Sequence, residues 1–311
     1  MSHSHDHHPG GLRWRMALSA LITFGFVVFE GFAGFYSNSL ALLTDAAHNL
    51  TDVLALALSW FALRLAEQPP HAGKTFGYHR VGILAAMVNS TTLAVIALGI
   101  FYEAYHRLQS PSPVAADILA QVGAAALAVN LLTAWLVHHG SEHDLNVRSA
   151  FIHLMGDVFS TLGAIAAGIG IWFTGWTWLD PAASVLIGLL ILWNAWIILG
   201  ETLDILLEST PRDIDMDAVV RDFLGVDGVM GIHDLHVWSI SRSLRMLSAH
   251  VVTADITISE GARIQRQLHE RLAHNHGIGH ATLQLEFEQC ASGALYCDIA
   301  GRNRDAHGHH H

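Results

Sequence analysis

The sequence predicts an α-helical membrane protein with six transmembrane helices, followed by a small α/β domain. The chain is 52% hydrophobic and only 14% charged, a balance that is hard to keep in solution as a globular protein. Apolar stretches of about 20 residues, the length that crosses a bilayer, recur through the first two thirds of the chain. From about residue 209 onward the pattern changes to short amphipathic and alternating runs.

Segments rich in Gly, Pro, Asn and charged residues separate the predicted membrane helices, because these residues favour turns. They read "YSNS", "EQPPHAGKTFGYHR", "LQSPSP", "HHGSEHDLN" and "TGWTWLDP". The six helices are therefore predicted at about 14–36, 40–65, 80–107, 115–138, 148–173 and 179–206.

Basic residues concentrate in the loops on one side of the predicted membrane domain, whereas the opposite loops offer little beyond Arg107. They are Arg13, Arg15, Arg64, Lys74, Arg80, Arg148 and Arg212. Because cytoplasmic loops carry an excess of Lys and Arg, we expect both termini to be cytoplasmic. The polar, His-rich N-terminus indicates no cleavable signal peptide.

The last third of the chain has the pattern of a small α/β domain. Its order is helix, strand, strand, helix, strand, with an amphipathic helix in "SEGARIQRQLHERLAHNHG". The predicted organisation is a His-rich cytoplasmic tail at 1–13, a transmembrane domain at 14–206, a cytoplasmic metal-binding domain at 209–290 and a Cys/His-containing tail at 291–311.

Charge and composition exclude several classes of protein. The net charge of -11, with only 16 Lys and Arg, excludes a general nucleic-acid binder. Two cysteines, Cys290 and Cys297, build no disulfide framework and are left open as metal ligands or free thiols. The 23 His cluster at the termini, where "HSHDHH" and "HGHHH" fit either solvated tails or weak metal capture.

Two identical pairs of ionisable residues lie inside predicted membrane helices. The second helix carries His48 and Asp52, and the fifth carries His153 and Asp157. Residues four apart lie on the same helical face, so each helix presents an imidazole and a carboxylate together. Ionisable groups cost free energy within a membrane, so their presence there indicates a function. Two such helices face to face would supply two nitrogens and two oxygens, a tetrahedral set for zinc.

A haem site or a protease site accounts for these pairs less well than a zinc site. Bis-His haem ligation would leave two buried carboxylates unexplained, and an intramembrane zinc protease would need a motif such as HExxH, which does not occur. The sequence has no phosphate-binding Gly loop, so it gives no support for ATP-driven pumping. Asp45 lies a turn nearer the membrane surface, so we expect it to support the ligands rather than bind the ion.

Taken together, the motifs resemble those of the cation diffusion facilitator family, which includes bacterial cobalt-zinc-cadmium resistance exporters and vesicular zinc transporters. The resemblance rests on "SLALLTDAAHNLTD", "KTFGYHR", the second HxxxD pair, "WLDP" and "IHDLHVW". It implies a homodimer of six-helix protomers with a metallochaperone-like cytoplasmic domain, not an enzyme. It also implies exchange of metal for protons by alternating access.

The resemblance assigns the transport site to His48, Asp52, His153 and Asp157. Family members that also accept cadmium readily have Asp at the first of these positions. Nitrogen at His48 therefore favours zinc, although imidazole also suits cobalt and nickel. Metal binding needs neutral imidazoles and ionised carboxylates, so protonation at an acidic outer face would expel the ion.

Two further metal sites are implied by the resemblance. His79 and His280 occupy positions that hold one ion between the membrane and cytoplasmic domains of similar vesicular transporters. His233, His250 and Glu286 match the family's cytoplasmic zinc ligands, and Cys290 and Cys297 are candidates to complete that site across the dimer. Gln284 replaces an extra His of some members, which favours a single ion. His236 is expected to pack near Trp238 rather than bind metal.

Two alternatives to zinc export are kept. The first is an exporter of cobalt, nickel or cadmium with the same machinery, and the second is a membrane-bound metal sensor that signals without transport. The paired HxxxD residues favour transport, because a sensor would not need charged groups within the membrane. A bacterial inner membrane is expected because the chain is compact and the His-rich loop at 138–143 is short.

Overall fold

The computed structural model describes residues 9–138, 145–287 and 295–296, and among these the side chains of 21–135, 154–287 and 295–296. Within that part, the chain forms two compact units. The first combines the residues up to Arg64 with Ala85–Leu199, and the second combines Leu65–Leu84 with the residues from Gly200 onward.

Six long helices form the first unit, and some of them extend into the second. They are α1 (Pro9–Ser37), α2 (Leu40–Ala66), α3 (Val81–Gln109), α4 (Ala116–His138), α5 (Leu145–Thr174) and α6 (Leu179–Leu206). Among the described residues five of them, α2 to α6, are long and apolar enough to cross a membrane, and α1 contributes the shorter apolar helix Leu21–Ser37. The predicted six-helix architecture is confirmed, with α1 beginning a few residues earlier than expected.

Large apolar side chains cover the outside of these helices. Phe32, Trp60, Trp135, Trp193 and Trp196 are all more than half exposed. Such a surface is unsuited to water. It is typical of helices that face lipid, because lipid tails are as apolar as these side chains and there is no hydrophobic driving force to bury them.

The helix interfaces are built from small and branched residues. In one cluster Ala41 and Leu42 of α2 pack with Leu119 of α4 and Ala164 of α5. The α4 and α5 backbones approach closely at Gly168, where an added Cβ would lie 3.1 Å from the amide nitrogen of Ala120. A second cluster joins α3 and α6. Close backbone approach at small residues is the usual packing of membrane helices.

The C-terminal domain contains α7 (Met216–Leu224), β1 (Val229–Ser239), β2 (Arg245–Thr253), α8 (Ile258–His276) and β3 (His280–Glu286). The sheet order is β1-β2-β3, with β1 and β2 antiparallel and β2 and β3 parallel. Helix α8 forms the crossover that the parallel pair requires. The predicted order of helix, strand, strand, helix, strand is confirmed.

Local sequence signals define the ends of α8. Thr257 and Glu260 form a capping box at its start, and Gly277 adopts a left-handed conformation with φ of 64° at its end. The apolar face of α8 buries Ile264, Leu268 and Leu272 in a core shared with the sheet and α7. This packing holds β1, β2 and the end of β3 in fixed register.

Candidate metal centres

The first unit, called the membrane unit below because it holds most of the six long helices, brings three of the four predicted transport ligands together. The Nε2 atom of His48 lies 3.5 Å from Oδ2 of Asp52, on the same face of α2, and 3.4 Å from Oδ1 of Asp157 on α5. One nitrogen and two carboxylate oxygens thus lie within 4.8 Å of one another. The His48 and Asp157 residues are buried, at 7% and 5% exposure.

The fourth predicted ligand, His153, lies in α5 one turn before Asp157. Its side chain is outside the described residues. The helical spacing that places His48 beside Asp52 places His153 on the same face of α5 as Asp157. The four-ligand set therefore stays a prediction, with three members in measured proximity.

A hydrogen-bonded network supports Asp157. Thr161 donates its hydroxyl proton to the Asp157 carbonyl oxygen at 2.8 Å, and Asn130 of α4 donates to the Thr161 hydroxyl at 3.0 Å. The same hydroxyl lies 3.5 Å from Oδ2 of Asp45 on α2. Asp45 lies outside the three-residue metal-ligand group, a position that fits a supporting residue.

Two buried carboxylates are absent from the site residues that the sequence predicts. Asp180 begins α6 and contacts the start of α2, and Glu30 lies within α1; both are 0% exposed. The signal for Glu30 was available, because a carboxylate inside a predicted membrane span is unusual in itself. Asp180 carried a weaker signal, since it lies in the first turn of a predicted helix, where carboxylates are common.

A second group of ligand atoms lies in the C-terminal domain. His233 of β1 and His250 of β2 are register partners, and their ring centroids are 5.0 Å apart. Glu286, at the end of β3, lies 3.0 Å from Nε2 of His233 and 2.8 Å from Nδ1 of His250. These three residues form a metal-ligand group with His233 almost fully buried. Two imidazoles and a carboxylate are a donor set that zinc accepts.

Neighbouring residues orient this group. Gln284 donates to Oε1 of Glu286 at 2.7 Å, so its side-chain amide positions the carboxylate. Asp234 lies in a register irregularity between His233 and His236, with a positive φ of 52°, and its Oδ2 is 3.6 Å from Nε2 of His250. His236 contacts Asp234 at 3.2 Å and is outside the metal-ligand group.

The remaining predicted ligands are not gathered into one site in the described part of the chain. His79 lines a cavity of about 1010 Å³ within the second unit, together with Lys74, Arg80 and Trp238. His280 begins β3 and is exposed; it does not line that cavity. Their pairing stays a prediction. Cys290 and Cys297 lie outside the described residues.

Comparison with known proteins identifies both parts of the chain. Residues 16–207 match the family of the cation efflux transmembrane domain, and residues 211–288 match the cation efflux protein, cytoplasmic domain. These matches cover most of the chain, on either side of the junction between α6 and α7.

Full-length relatives have names that refer to metal efflux. The chain is 39% identical to the "Cadmium, cobalt and zinc/H(+)-K(+) antiporter" of Bacillus subtilis, over 98% of this chain and 99% of that protein. It is 36% identical to the "Zinc transporter ZitB" of Escherichia coli over 100% of both chains. It is 38% identical to the "Metal cation efflux system protein CzcD" of Cupriavidus metallidurans, over 93% of this chain and 90% of that protein.

Among solved structures, a metal-bound C-terminal domain of a CzcD transporter is 31% identical to this chain. The match covers 24% of this chain and 100% of that chain, with a TM-score of 0.22.

The six-helix fold and the two family matches define a multi-pass membrane transporter of metal cations rather than an enzyme. The chain belongs to the cation efflux family, the cation diffusion facilitators.

Proposed function

We propose that this protein exports zinc from the cytoplasm in exchange for protons, by alternating access, with His48, Asp52, His153 and Asp157 as the transport site. The observation that carries the proposal is the convergence of Asp52 and Asp157 on Nε2 of His48 within the membrane unit. Two helices contribute to it, so relative movement of α2 and α5 would make or break the site.

The chemistry of the donor set supports zinc as the substrate. A zinc ion bound by two carboxylates and two neutral imidazoles is formally neutral, which lowers the cost of holding it within the membrane. Nitrogen and oxygen donors in a four-coordinate set suit zinc. Cobalt, nickel and cadmium are the alternative substrates, because ligand type alone does not separate them from zinc.

Proton coupling follows from the same donors. Metal binding requires neutral imidazoles and ionised carboxylates, so zinc and protons compete for the site. At a more acidic outer face protonation favours release of zinc, and at the higher cytoplasmic pH deprotonation restores the site. Exchange of the two cations would then give net export.

The C-terminal domain is proposed to hold a resident zinc ion at His233, His250 and Glu286. Cys290 and Cys297 are proposed to complete that site across a homodimer, and His79 with His280 to form a weaker site. The proposed location is a bacterial inner membrane with both termini cytoplasmic. Zinc bound by the domain would make transport responsive to cytoplasmic zinc. This resident ion would therefore have a different role from the ion that is transported through the membrane site.

The test is zinc flux driven by a pH gradient in proteoliposomes. Asp157→Ala should abolish flux, and Asp157→Asn should do the same because the amide keeps the shape but loses the charge. Asp117→Asn is the matched control, since Asp117 is an exposed carboxylate in the first turn of α4. Intact flux in either Asp157 variant would overturn the proposed site.

The metal-sensor alternative predicts a different result in the same experiment. A sensor would bind zinc without moving it, so the unmodified protein would show no flux at any gradient. Flux of cobalt or nickel in place of zinc would correct the substrate alone.

A further inference from the structure

Glu30 is a buried carboxylate within α1 that none of the proposed metal sites uses. It is 0% exposed, and neither carboxyl oxygen has a hydrogen-bond donor at good geometry among the described residues. Its carboxyl group faces the side chains of Asp45 and Asn49, both on α2. Asp45 is itself 1% exposed, and its Oδ1 also has no donor within the described part of the chain.

Two ionised carboxylates that face each other in a water-excluded site are unstable unless a cation is bound nearby. Each would lose its hydration and repel the other, whereas a single proton shared between them supplies the missing donor. Neither arginine whose side chain is described in this unit is a partner of Glu30 or Asp45, and His48, one turn along α2, is the basic side chain that interacts with Asp45. Arg107 contacts Glu103, Asn38 and Asp180, and Arg64 lies over Trp60.

The Glu30 carboxyl group is connected to the proposed transport site through Asp45. Asp45 lies one helical turn before His48 on α2, and its Oδ2 is 3.5 Å from the Thr161 hydroxyl, which contacts the Asp157 carbonyl oxygen. A divalent cation bound at His48, Asp52 and Asp157 adds positive charge beside this pair. That charge favours loss of the shared proton.

We propose that Glu30 carries one of the exchanged protons, in addition to those that compete with zinc for the ligands, holding it against Asp45 while the transport site is free of metal and releasing it when zinc binds. The inference rests on the proposed zinc–proton exchange and assigns the proton to a residue outside the ligand set. One proton leaves the Glu30 carboxyl for cytoplasmic water as zinc enters, and one proton from the outer face returns to it as zinc leaves. The proton released by Glu30 in one half of the cycle is regained in the other, so no other reactant is needed.

The groups that surround Glu30 fit this role. Asp45 and Asn49 face it from α2, with His48 and Asp52 further along that helix, and Asp157 of α5 interacts with Asp45. Helix α4 packs against α1, and the acidic residue in its described part, Asp117, lies in the first turn. Glu30 is therefore a carboxyl group that can gain or lose a proton without occupying one of the proposed metal-coordination positions.

The experiment measures proton release on zinc binding to the full-length protein in detergent, in weakly buffered solution, together with pH-driven zinc flux in proteoliposomes. Glu30→Gln should still bind zinc but release fewer protons, with a decrease of about one per zinc. Its flux should no longer respond to the pH gradient. Glu30→Asp keeps a titratable carboxyl group and should retain proton release, which separates loss of the proton from misfolding.

The matched control is Glu67→Gln, because Glu67 is an exposed carboxylate beyond the end of α2, and it should match the unmodified protein. Unchanged proton release and gradient response in Glu30→Gln would overturn the inference, and so would complete loss of zinc binding, which would make Glu30 a ligand or a structural residue. Zinc flux in the unmodified protein without proton exchange would instead overturn the proposed coupling.

Discussion

The Asp180 carboxylate at the start of α6 accepts a hydrogen bond from the backbone amide of Leu40, 2.7 Å away at the start of α2. It also accepts from the Ala41 amide at 3.2 Å and from the Ser39 hydroxyl. The first amides of a helix have no partner within the helix. A residue 140 positions away therefore caps the helix that carries His48 and Asp52, and fixes the position of its first turn.

We expect Asp180→Ala to leave these amides without acceptors in a buried site. The loss should lower stability by about 1–3 kcal/mol and reduce zinc flux, because the start of α2 is no longer held by α6. The measurement is thermal unfolding of the detergent-solubilised protein beside flux in proteoliposomes. Asp117→Asn is the control, and an unchanged melting temperature for Asp180→Ala would contradict this assignment.

Thr161→Val is expected to weaken the support of Asp157 while conserving side-chain volume. Valine cannot accept the hydrogen bond from Asn130 or donate to the Asp157 carbonyl oxygen, so a buried amide donor is left unsatisfied at a cost of about 1–3 kcal/mol. Zinc flux should fall without being abolished. Thr161→Ser retains the hydroxyl and should restore it; equal flux in the Val and Ser variants would argue against a supporting role.

The proposed zinc site of the C-terminal domain is tested in the Asp157→Ala protein, in which the proposed transport site lacks one ligand. Adding His250→Ala to this protein should remove about one zinc per protomer, since the two remaining donors hold the ion poorly. Glu286→Gln should weaken binding in the same direction. His274→Ala is the control, because His274 is an exposed histidine near the end of α8. Full occupancy in the His250→Ala protein would place the ion elsewhere.

Asp222 links α7 to the end of α8 and gives the domain a defined acid sensitivity. Partial burial raises the pKa of Asp222, but hydrogen bonds from Asn275 and His276 outweigh burial and hold that pKa below its ordinary value of 3.8. A depressed pKa in the folded state contributes stability above the unfolded value, and this stability is lost as pH falls through the folded pKa.

We expect Asp222→Asn to destabilise α7 and α8 near neutral pH by on the order of 1 kcal/mol. The difference from the unmodified protein should shrink as pH falls through 3.8 and below. Hydrogen exchange of peptides from α7 and α8 in the full-length protein would measure it. Asp227→Asn removes an exposed carboxylate near α7 and is the control. A difference that does not change with pH would rule out Asp222 as the source.

The long helices were predictable because each membrane span needs a length of apolar residues that nothing else in the chain requires. The HxxxD spacing likewise placed His48 and Asp52 on one face of α2, and the pairing of His233 with Glu286 agrees with the family pattern. These features depend on local sequence periodicity or on a motif, and both can be read without knowledge of the packing.

The capping of α2 by Asp180 and the contact of Glu30 with Asp45 were not predicted. Each depends on which helices become neighbours, and one sequence does not specify that. The backbone at Asp234 is a further example, because its positive φ follows from the irregular pairing of β1 with β2. Asp is among the residues that tolerate this conformation, but its presence does not predict it.

The pairing of His233 with His250 links metal occupancy to strand alignment. Sliding β1 by one residue against β2 would turn the imidazole of His233 to the opposite face of the sheet. An ion held by both rings would therefore act as a staple across two strands, and only a correctly aligned sheet could accept it.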